Sequence, residues 1–259
     1  MYKILANPAF AANKLHYLPS CHSTNEVARQ LFQQARHTGQ PLDGLVVVTD
    51  EQTAGKGQAG SRWLAAPGQN LTCSLLLQPS FLPARQQFLL TVMVSLALRQ
   101  ALAKMGLPAD IKWPNDIWHE EHKLAGILIE NILRGQALEG SIVGIGLNVN
   151  QTVFPPEIRA VSMKMAAGRE FDLNEVLSTL LAETGRLYDE LKAGRVAVMK
   201  DLYDKLLLGN GKNRVFEDAN GKFSGVIIGT DTFGRLLVQR KEGLYKYQHK
   251  EITFLPQNS

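Results

Sequence analysis

The chain has 259 residues, 45% hydrophobic and 20% charged, a balance that excludes a disordered protein. The formal net charge is +4 with the basic residues scattered, so charge alone does not argue for a nucleic-acid partner. The longest nearly apolar stretch, Phe88 to Leu98, falls far short of the roughly 20 residues that span a bilayer; Met1 to Phe10 shows no secretory pattern; and two cysteines, Cys21 and Cys73, suit neither a disulfide scaffold nor a C-x-x-C metal site, which points to the reducing cytoplasm.

About 22 residues precede the first clear motif, too few for a helix-turn-helix module, so no DNA-reading domain is expected at this end. Ser23-Thr24-Asn25-Glu26 opens a helix with capping-box spacing, and Val27, Leu31 and Phe32 continue a helical stripe. Gly44 to Thr49 reads as a buried strand, Asp50 to Gly68 as a glycine-rich loop, and Asn70 to Gln78 as a second strand. Ala84 to Met105 is a long helix closed by Gly106. Ile111 to Trp113 is a short strand stopped by Pro114. Leu124 to Leu133 and Ala137 to Leu147 form a hairpin around Arg134-Gly135. Gln151 to Glu170 is loop-rich, and helices follow over Asp172 to Lys192 and Val196 to Leu208. From Arg214, short strands with turns at Ala219-Asn220-Gly221, Phe233-Gly234 and Glu242-Gly243 suggest a small antiparallel barrel. The expected domains are 1–209, an α/β (α+β) unit with a mixed sheet and helices on one face, and 210–259, a small β-barrel.

Gly55-Lys56-Gly57-Gln58-Ala59-Gly60 matches G-x-G-x-x-G literally. A dinucleotide fingerprint, however, needs the first glycine directly after a strand and the last one opening a helix, and here Pro67-Gly68 and a strand follow. The P-loop alternative lacks its lysine, because Ser61-Arg62 stands where Lys-Ser/Thr is required. Lys56, Arg62 and Trp63 among glycines instead suit a loop that orders over a phosphorylated ligand, since glycine lets backbone N–H groups approach an anion.

Five motifs occur in fixed order: Ser23-Thr24-Asn25; Glu51-Gln52-Thr53-Ala54-Gly55-Lys56-Gly57; Lys112-Trp113-Pro114-Asn115-Asp116; Lys123-Leu124-Ala125-Gly126-Ile127-Leu128; and Gly144-Ile145-Gly146-Leu147-Asn148. In this order they resemble the biotin protein ligase family, most strongly from Ser23 to about Asn150. The brief amino terminus looks like the monofunctional members, which lack the DNA-binding domain. The carboxy-terminal segment is similar to the family's SH3-like barrel by pattern alone. The resemblance implies a class II synthetase-like catalytic fold. It also implies ATP-dependent formation of biotinyl-5′-adenylate and transfer of biotin to a lysine of a biotin carboxyl carrier protein, a subunit of acetyl-CoA carboxylase. ATP and Mg²⁺ are the implied cofactors. Neither DNA nor membrane is an expected partner, and homodimerisation stays open.

The chemistry fits these residue types. An anionic carboxylate must approach an anionic α-phosphate, and two unit charges 4 Å apart interact by about 4 kcal/mol at an effective dielectric of 20. Cations aimed at the transferring group answer that repulsion. Lys123, at the start of a strand, is the main candidate; the resemblance implies contact with both biotin's carboxyl group and the α-phosphate. Lys56 and Arg62 are the loop's cations. The family often carries arginine where this chain has Gln58 and Ser61. Biotin's ureido ring needs matched hydroxyl and amide groups, because an unpaired buried polar group costs about 1–3 kcal/mol. Ser23, Thr24 and Gln52 have that chemistry, with plain helix capping as the alternative for Ser23. Gly126, Gly144 and Gly146 lie on strands, where glycine is kept for close approach of a ligand or for a bulge or tight helix contact. The resemblance extends the substrate-binding set to Asn25, Gly55, Lys56, Gly57, Gln58 and Trp63. Trp63, Asn115 and Asn148 are candidate nucleotide contacts, Trp63 alternatively anchoring its loop. Asp116 is a candidate ligand of Mg²⁺ or a turn residue. Cys73 is expected to be an inert buried thiol. Lipoate attachment by the same chemistry, or a non-catalytic ligand or nucleic-acid binding module, are the rival readings.

Overall fold

The computed structural model describes residues 15–256, so the reading of Met1 to Phe10 lies outside the described residues. A mixed sheet of seven strands forms the larger layer. Its strands are β1 (Leu15–Cys21), β2 (Leu45–Gln52), β3 (Leu71–Leu77), β4 (Asp110–Lys112), β5 (Asp116–His119), β6 (His122–Arg134) and β7 (Ala137–Leu147), in the order β1-β2-β3-β7-β6-β5-β4. β1 and β2 are parallel, joined by helix α1 (Thr24–Thr38); the other pairs are antiparallel. β1 was not anticipated. It is a half-buried edge strand interrupted by Pro19, whose missing N–H is tolerated at an edge but spoils the alternating pattern.

Because strand side chains alternate between faces, the sheet has two distinct coverings. On one face Val46, Val48, Cys73, Leu75, Val143 and Ile145 pack under helix α2 (Phe88–Lys104), which is backed by α4 (Leu173–Lys192) and α5 (Val196–Lys205). Central α2 is apolar nearly all round because other elements enclose it. On the opposite face Val47, Leu76 and Ile142 meet Ala28, Phe32 and Ala35 of α1. The expectation of helices on one face is therefore corrected: the stripe on α1 is real, but the parity of β2, β3 and β7 sends it to the far side. Inside the segment read as loop-rich, Met163–Ala167 forms the short helix α3, capped by the Ser162 hydroxyl.

The carboxy-terminal strands β8 (Asn213–Asp218), β9 (Gly221–Thr230), β10 (Leu236–Arg240), β11 (Gly243–Tyr247) and β12 (Thr253–Phe254) form a separate antiparallel sheet, order β11-β10-β9-β8-β12. This is the small barrel unit expected beside the α/β layer. Within it Phe223 stacks on Phe216 and Tyr247, and Phe254 meets Phe216 edge-on. It is braced against the larger sheet by, among other contacts, the Trp113 Nε1 donation to the Gly234 carbonyl at 2.8 Å and the Arg214–Glu121 pair at 3.0 Å. No described helix is long and apolar enough to cross a membrane.

Candidate functional site

The face covered by α1 changes character along the strands. Near Leu76 and Ile142 it is apolar and roofed by the helix. Further along, two ladder rows carry small side chains. One row aligns Ser74, Gly144 and Leu128; the next aligns Thr49, Thr72, Gly146, Gly126, Asp116 and Lys112. Where large residues cease, the sheet floor drops and a cleft of about 390 Å³ opens beyond the amino terminus of α1.

Four sequence-distant segments wall this cleft: the start of α1, the Lys56–Trp63 loop, the Lys112–Gly126 strands, and the barrel segment His249 to Phe254. Every site residue singled out from sequence lines it except Gly55 and Asn148. Gly55 lies behind the wall, where a Cβ would stand 2.5 Å from the Trp63 carbonyl and 2.9 Å from Gln52 Nε2. Asn148 is a brace: its Nδ2 donates to the Lys123 and Val161 carbonyls at 3.4 and 3.2 Å, while its Oδ1 is buried without a partner.

The start of α1 is held in an unexpected way. Ser23 occupies the N-cap position, but its side chain makes no cap hydrogen bond. Gln52 takes over: its Oε1 accepts from the Thr24 N–H at 2.8 Å and pairs with the Thr24 hydroxyl at 3.1 Å. The capping box is not formed either, because Glu26 turns outward to Lys56. Ser23, 2% exposed, thus lines the cleft with a hydroxyl not committed to capping.

Below Ser23 runs a buried polar chain. Ser74 Oγ lies 2.6 Å from both Thr24 Oγ1 and Asn25 Oδ1, and Asn25 Nδ2 donates to Glu130 at 2.7 Å. Arg29 closes the chain on Glu130 at 3.0 Å. The Glu130 carboxylate only accepts, which fixes the amide orientation of Asn25 and hence the direction of its Oδ1. Sequence reasoning found Thr24, Asn25 and Gln52 but missed Ser74 and Glu130. Their signal was period-two placement, Ser74 opposite Gly144 and Glu130 on the strand face of Gly126 and Leu128, visible only once the register is known.

The glycines of the floor each accommodate a neighbouring side chain. A Cβ on Gly144 would lie 2.5 Å from Asn25 Oδ1, and one on Gly146 would overlap the Trp63 indole. At Gly126 it would meet Lys123 Cε and Nζ at 3.2 Å. The Lys56–Trp63 loop is a tight hairpin: Trp63 N–H donates to the Gly55 carbonyl at 3.0 Å, and Gly57 N–H to that of Ser61 at 2.8 Å. Its indole covers Gly146 with the ring N–H buried and unpaired.

Charge is concentrated here. Lys56, Arg62, Lys112, Lys123 and Lys250 line the cleft, with Asp116 as the only carboxylate among its described residues. Lys123 Nζ bonds Asp116 Oδ1 at 2.8 Å and stands 6.0 Å from the Trp63 ring centre. Its backbone is clamped by Arg159 and Val161, at 2.8 and 3.0 Å. Lys112, missed as a site residue although its motif was noted, lies 3.8 Å over the Trp118 ring. Burial holds its ammonium below the ordinary lysine range, against the pull of Asp116 and with the help of Lys123. Asn115 donates to the Ile127 carbonyl, and Tyr203 OH to that of Pro114 at 2.6 Å, which fixes the turn after the cis Trp113-Pro114 bond. His249 packs edge-on to Trp113 at 6.2 Å; burial keeps its imidazole below the usual histidine range, Asp116 opposing and Lys250 reinforcing.

Residues 17–148 match the model of the biotin/lipoate A/B protein ligase family. The bifunctional ligase/repressor BirA of Bacillus subtilis is 34% identical over 215 residues, 81% of this chain; the match spans 66% of that relative, just under two thirds. The biotin--[acetyl-CoA-carboxylase] ligase of Paracoccus denitrificans is 29% identical over 80% of this chain and 89% of its own length. Among solved structures, the biotin protein ligase from Aquifex aeolicus in complex with biotin and ATP superposes with a TM-score of 0.76 at 28% identity, covering 95% of this chain and all of that one. Motifs, sheet order and sequence similarity agree, and the chain belongs to the biotin/lipoate A/B protein ligase family.

Proposed function

We propose that this chain is an ATP-dependent ligase of the cytoplasm that activates biotin as biotinyl-5′-adenylate and transfers it to a lysine of a biotin carboxyl carrier protein of acetyl-CoA carboxylase. The observation that carries the reading is the meeting of Lys123 with the Ser23, Thr24 and Gln52 groups over a glycine floor in one cleft. The named relatives support biotin as the acid.

In the first step a carboxylate oxygen of biotin attacks the α-phosphorus of ATP, the bond to the β-phosphate oxygen breaks, and pyrophosphate leaves. Lys123, released from Asp116, neutralises the two approaching anions, a task for a preplaced cation. Ser23 and the Gln52 amide serve the ureido ring, which offers one acceptor and two donors. Trp63 closes over the ligand, and Lys56 and Arg62 face the phosphates. Asn115 and Asn148 act from the nucleotide side, with Gly55 and Gly57 shaping the loop. In the second step the neutral amine of the carrier lysine attacks the acyl carbon, AMP departs with the bonding pair, and the amine's proton passes to solvent.

Mg²⁺ fits this donor set in one way. No described cluster of three His, Cys, Asp or Glu could hold an ion unaided, but Mg²⁺ commonly takes one or two carboxylates plus triphosphate oxygens. Asp116 would supply that carboxylate, and the ion would lower the phosphate charge. Pyrophosphate release on mixing with ATP and biotin, followed by intact-mass measurement of a biotin carboxyl carrier domain and a lipoyl domain, tests the proposal. A biotin adduct on the first is expected. No pyrophosphate, or modification only with lipoate, refutes it.

A further inference from the structure

The buried chain beneath the start of α1 holds more acceptors than it has protons. Both of its ends are fixed. Gln52 Oε1 is an acceptor because it takes the Thr24 N–H at 2.8 Å. Asn25 Oδ1 faces Ser74 because Asn25 Nδ2 donates to Glu130 at 2.7 Å, and a carboxylate only accepts. Between these ends lie two hydroxyls. The order is Gln52 Oε1, Thr24 Oγ1, Ser74 Oγ, Asn25 Oδ1, with gaps of 3.1, 2.6 and 2.6 Å.

Thr24 and Ser74 each bring one hydroxyl proton. Two protons cannot fill three gaps, so one pair of oxygens meets without a hydrogen between them. Thr24, Ser74 and Asn25 are at most 3% exposed, so bulk water does not relieve the deficit. Thr24, Asn25 and Gln52 line the cleft, and the spare acceptor is therefore offered to a ligand there.

Glu130 imposes this polarity from outside the cleft. It lies one step along β6 from Leu128, across from Ile142, and its other oxygen takes Arg29 at 3.0 Å. With an amide in its place, Arg29 would claim the single carbonyl oxygen and the NH₂ group would face Asn25. Asn25 would then turn Oδ1 to that group and Nδ2 to Ser74. Three protons would serve three gaps, and the spare acceptor would be gone.

We infer that Glu130 is a positioning residue: it sets the polarity of the Asn25–Ser74–Thr24 chain and so makes the cleft select acids whose head group brings an N–H donor. The inference rests on the ligase reading and adds to it a residue that does not line the cleft. The ureido ring of biotin supplies such donors; the dithiolane ring of lipoate has none.

Calorimetric titration of biotin into the full chain, with Tm measured alongside, tests this. Glu130→Gln keeps the size of the side chain and both of its contacts at a part-exposed position, so the variant folds. Its Tm should be unchanged or raised, because the chain gains the missing proton. Its biotin affinity should nevertheless fall about tenfold, the scale of one hydrogen bond. Ser74 transmits the polarity, so in a Ser74→Ala background Glu130→Gln should change biotin affinity by less than about twofold. A merely structural role would lower Tm and affinity together, in both backgrounds. A parent protein that does not bind biotin overturns the ligase reading and this inference together. A parent that binds overturns the role of Glu130 alone in either of two cases: Glu130→Gln stays within about twofold of it, or the loss comes with a lower Tm and is equal with and without Ser74.

Discussion

Gly144→Ala is the sharpest test of how the cleft floor is built. The new methyl carbon would stand 2.5 Å from Asn25 Oδ1, roughly 0.9 Å inside ordinary contact. The strand cannot yield, because Gly144 is laddered between Ser74 and Leu128, so Asn25 must move. Moving it breaks the bond from Ser74 Oγ at 2.6 Å and the one to Glu130 at 2.7 Å. A neutral buried bond is worth about 1 kcal/mol and one to a charged group about 1.5–3, so the expected cost is about 2–4 kcal/mol. Urea unfolding should show a lower midpoint with unchanged slope. The double-mutant cycle with Asn25→Ala isolates the cause: without the Asn25 amide the methyl has room, and its cost should fall below about 1 kcal/mol. Equal costs in the two backgrounds, or less than about 0.5 kcal/mol in the parent, would refute the assignment of Gly144 to the Asn25 contact.

Gly146→Ala should expel the Trp63 indole from the floor; tryptophan emission should shift red, and tryptic nicking at Lys56 or Arg62 should speed by about tenfold, as for a loop loosened by about 1.4 kcal/mol. Unchanged emission and nicking would mean that the indole is not held there. Lys123→Ala should slow single-turnover adenylation by at least about 10²-fold, and near-normal adenylation by this variant would remove Lys123 from the mechanism. Burial pushes the Cys73 thiol to about 12, so at pH 8 its thiolate fraction is roughly 10⁻⁴. Iodoacetamide should reach Cys73 only as the protein unfolds in urea, and alkylation in native buffer at the rate of partly exposed Cys21 would contradict its burial.

What the sequence disclosed was pattern that survives without register. The hairpin over Leu124 to Leu147, the fully buried β3 and the long apolar α2 could all be read from runs and turn residues, and the structure contains each of them. The glycine pairs were legible as anomalies in strands, but what each one makes room for was not. Nothing local tells that Gly144 faces Asn25 and Gly146 faces Trp63. Capping followed the same rule. Ser23 and Glu26 have capping-box spacing, yet Gln52 caps the helix, because β2 ends beside the start of α1 and a side chain 28 residues away reaches its first N–H. β5, four residues long and directly after the Pro114 turn, was too short to show a period. The barrel's wall of the cleft was invisible for a related reason: His249 meets Trp113 and comes under the influence of Asp116 only through tertiary packing.

That packing bears on how the Lys112–Asp116 motif works. Trp113 is not a ligand-facing aromatic alone; its N–H is spent on the Gly234 carbonyl and its ring on His249. Pro114 is tied to Tyr203 of α5, and Asn115 to the backbone of Ile127. Lys112 and Asp116 are register partners, and Asp116 in turn partners Gly126, so their side chains share the face that carries Lys123. The motif is therefore held from three sides: by β6, by α5 and by the barrel. Its acid sits 2.8 Å from the Lys123 ammonium because those supports converge. Loss of the barrel would remove the partner of the Trp113 N–H, a net cost of about 0.5–1.5 kcal/mol, and would free the turn that carries Asp116. The barrel thus belongs to the architecture of the cleft, and a defect in it should be felt at Lys123 before it is felt in the stability of the seven-stranded sheet.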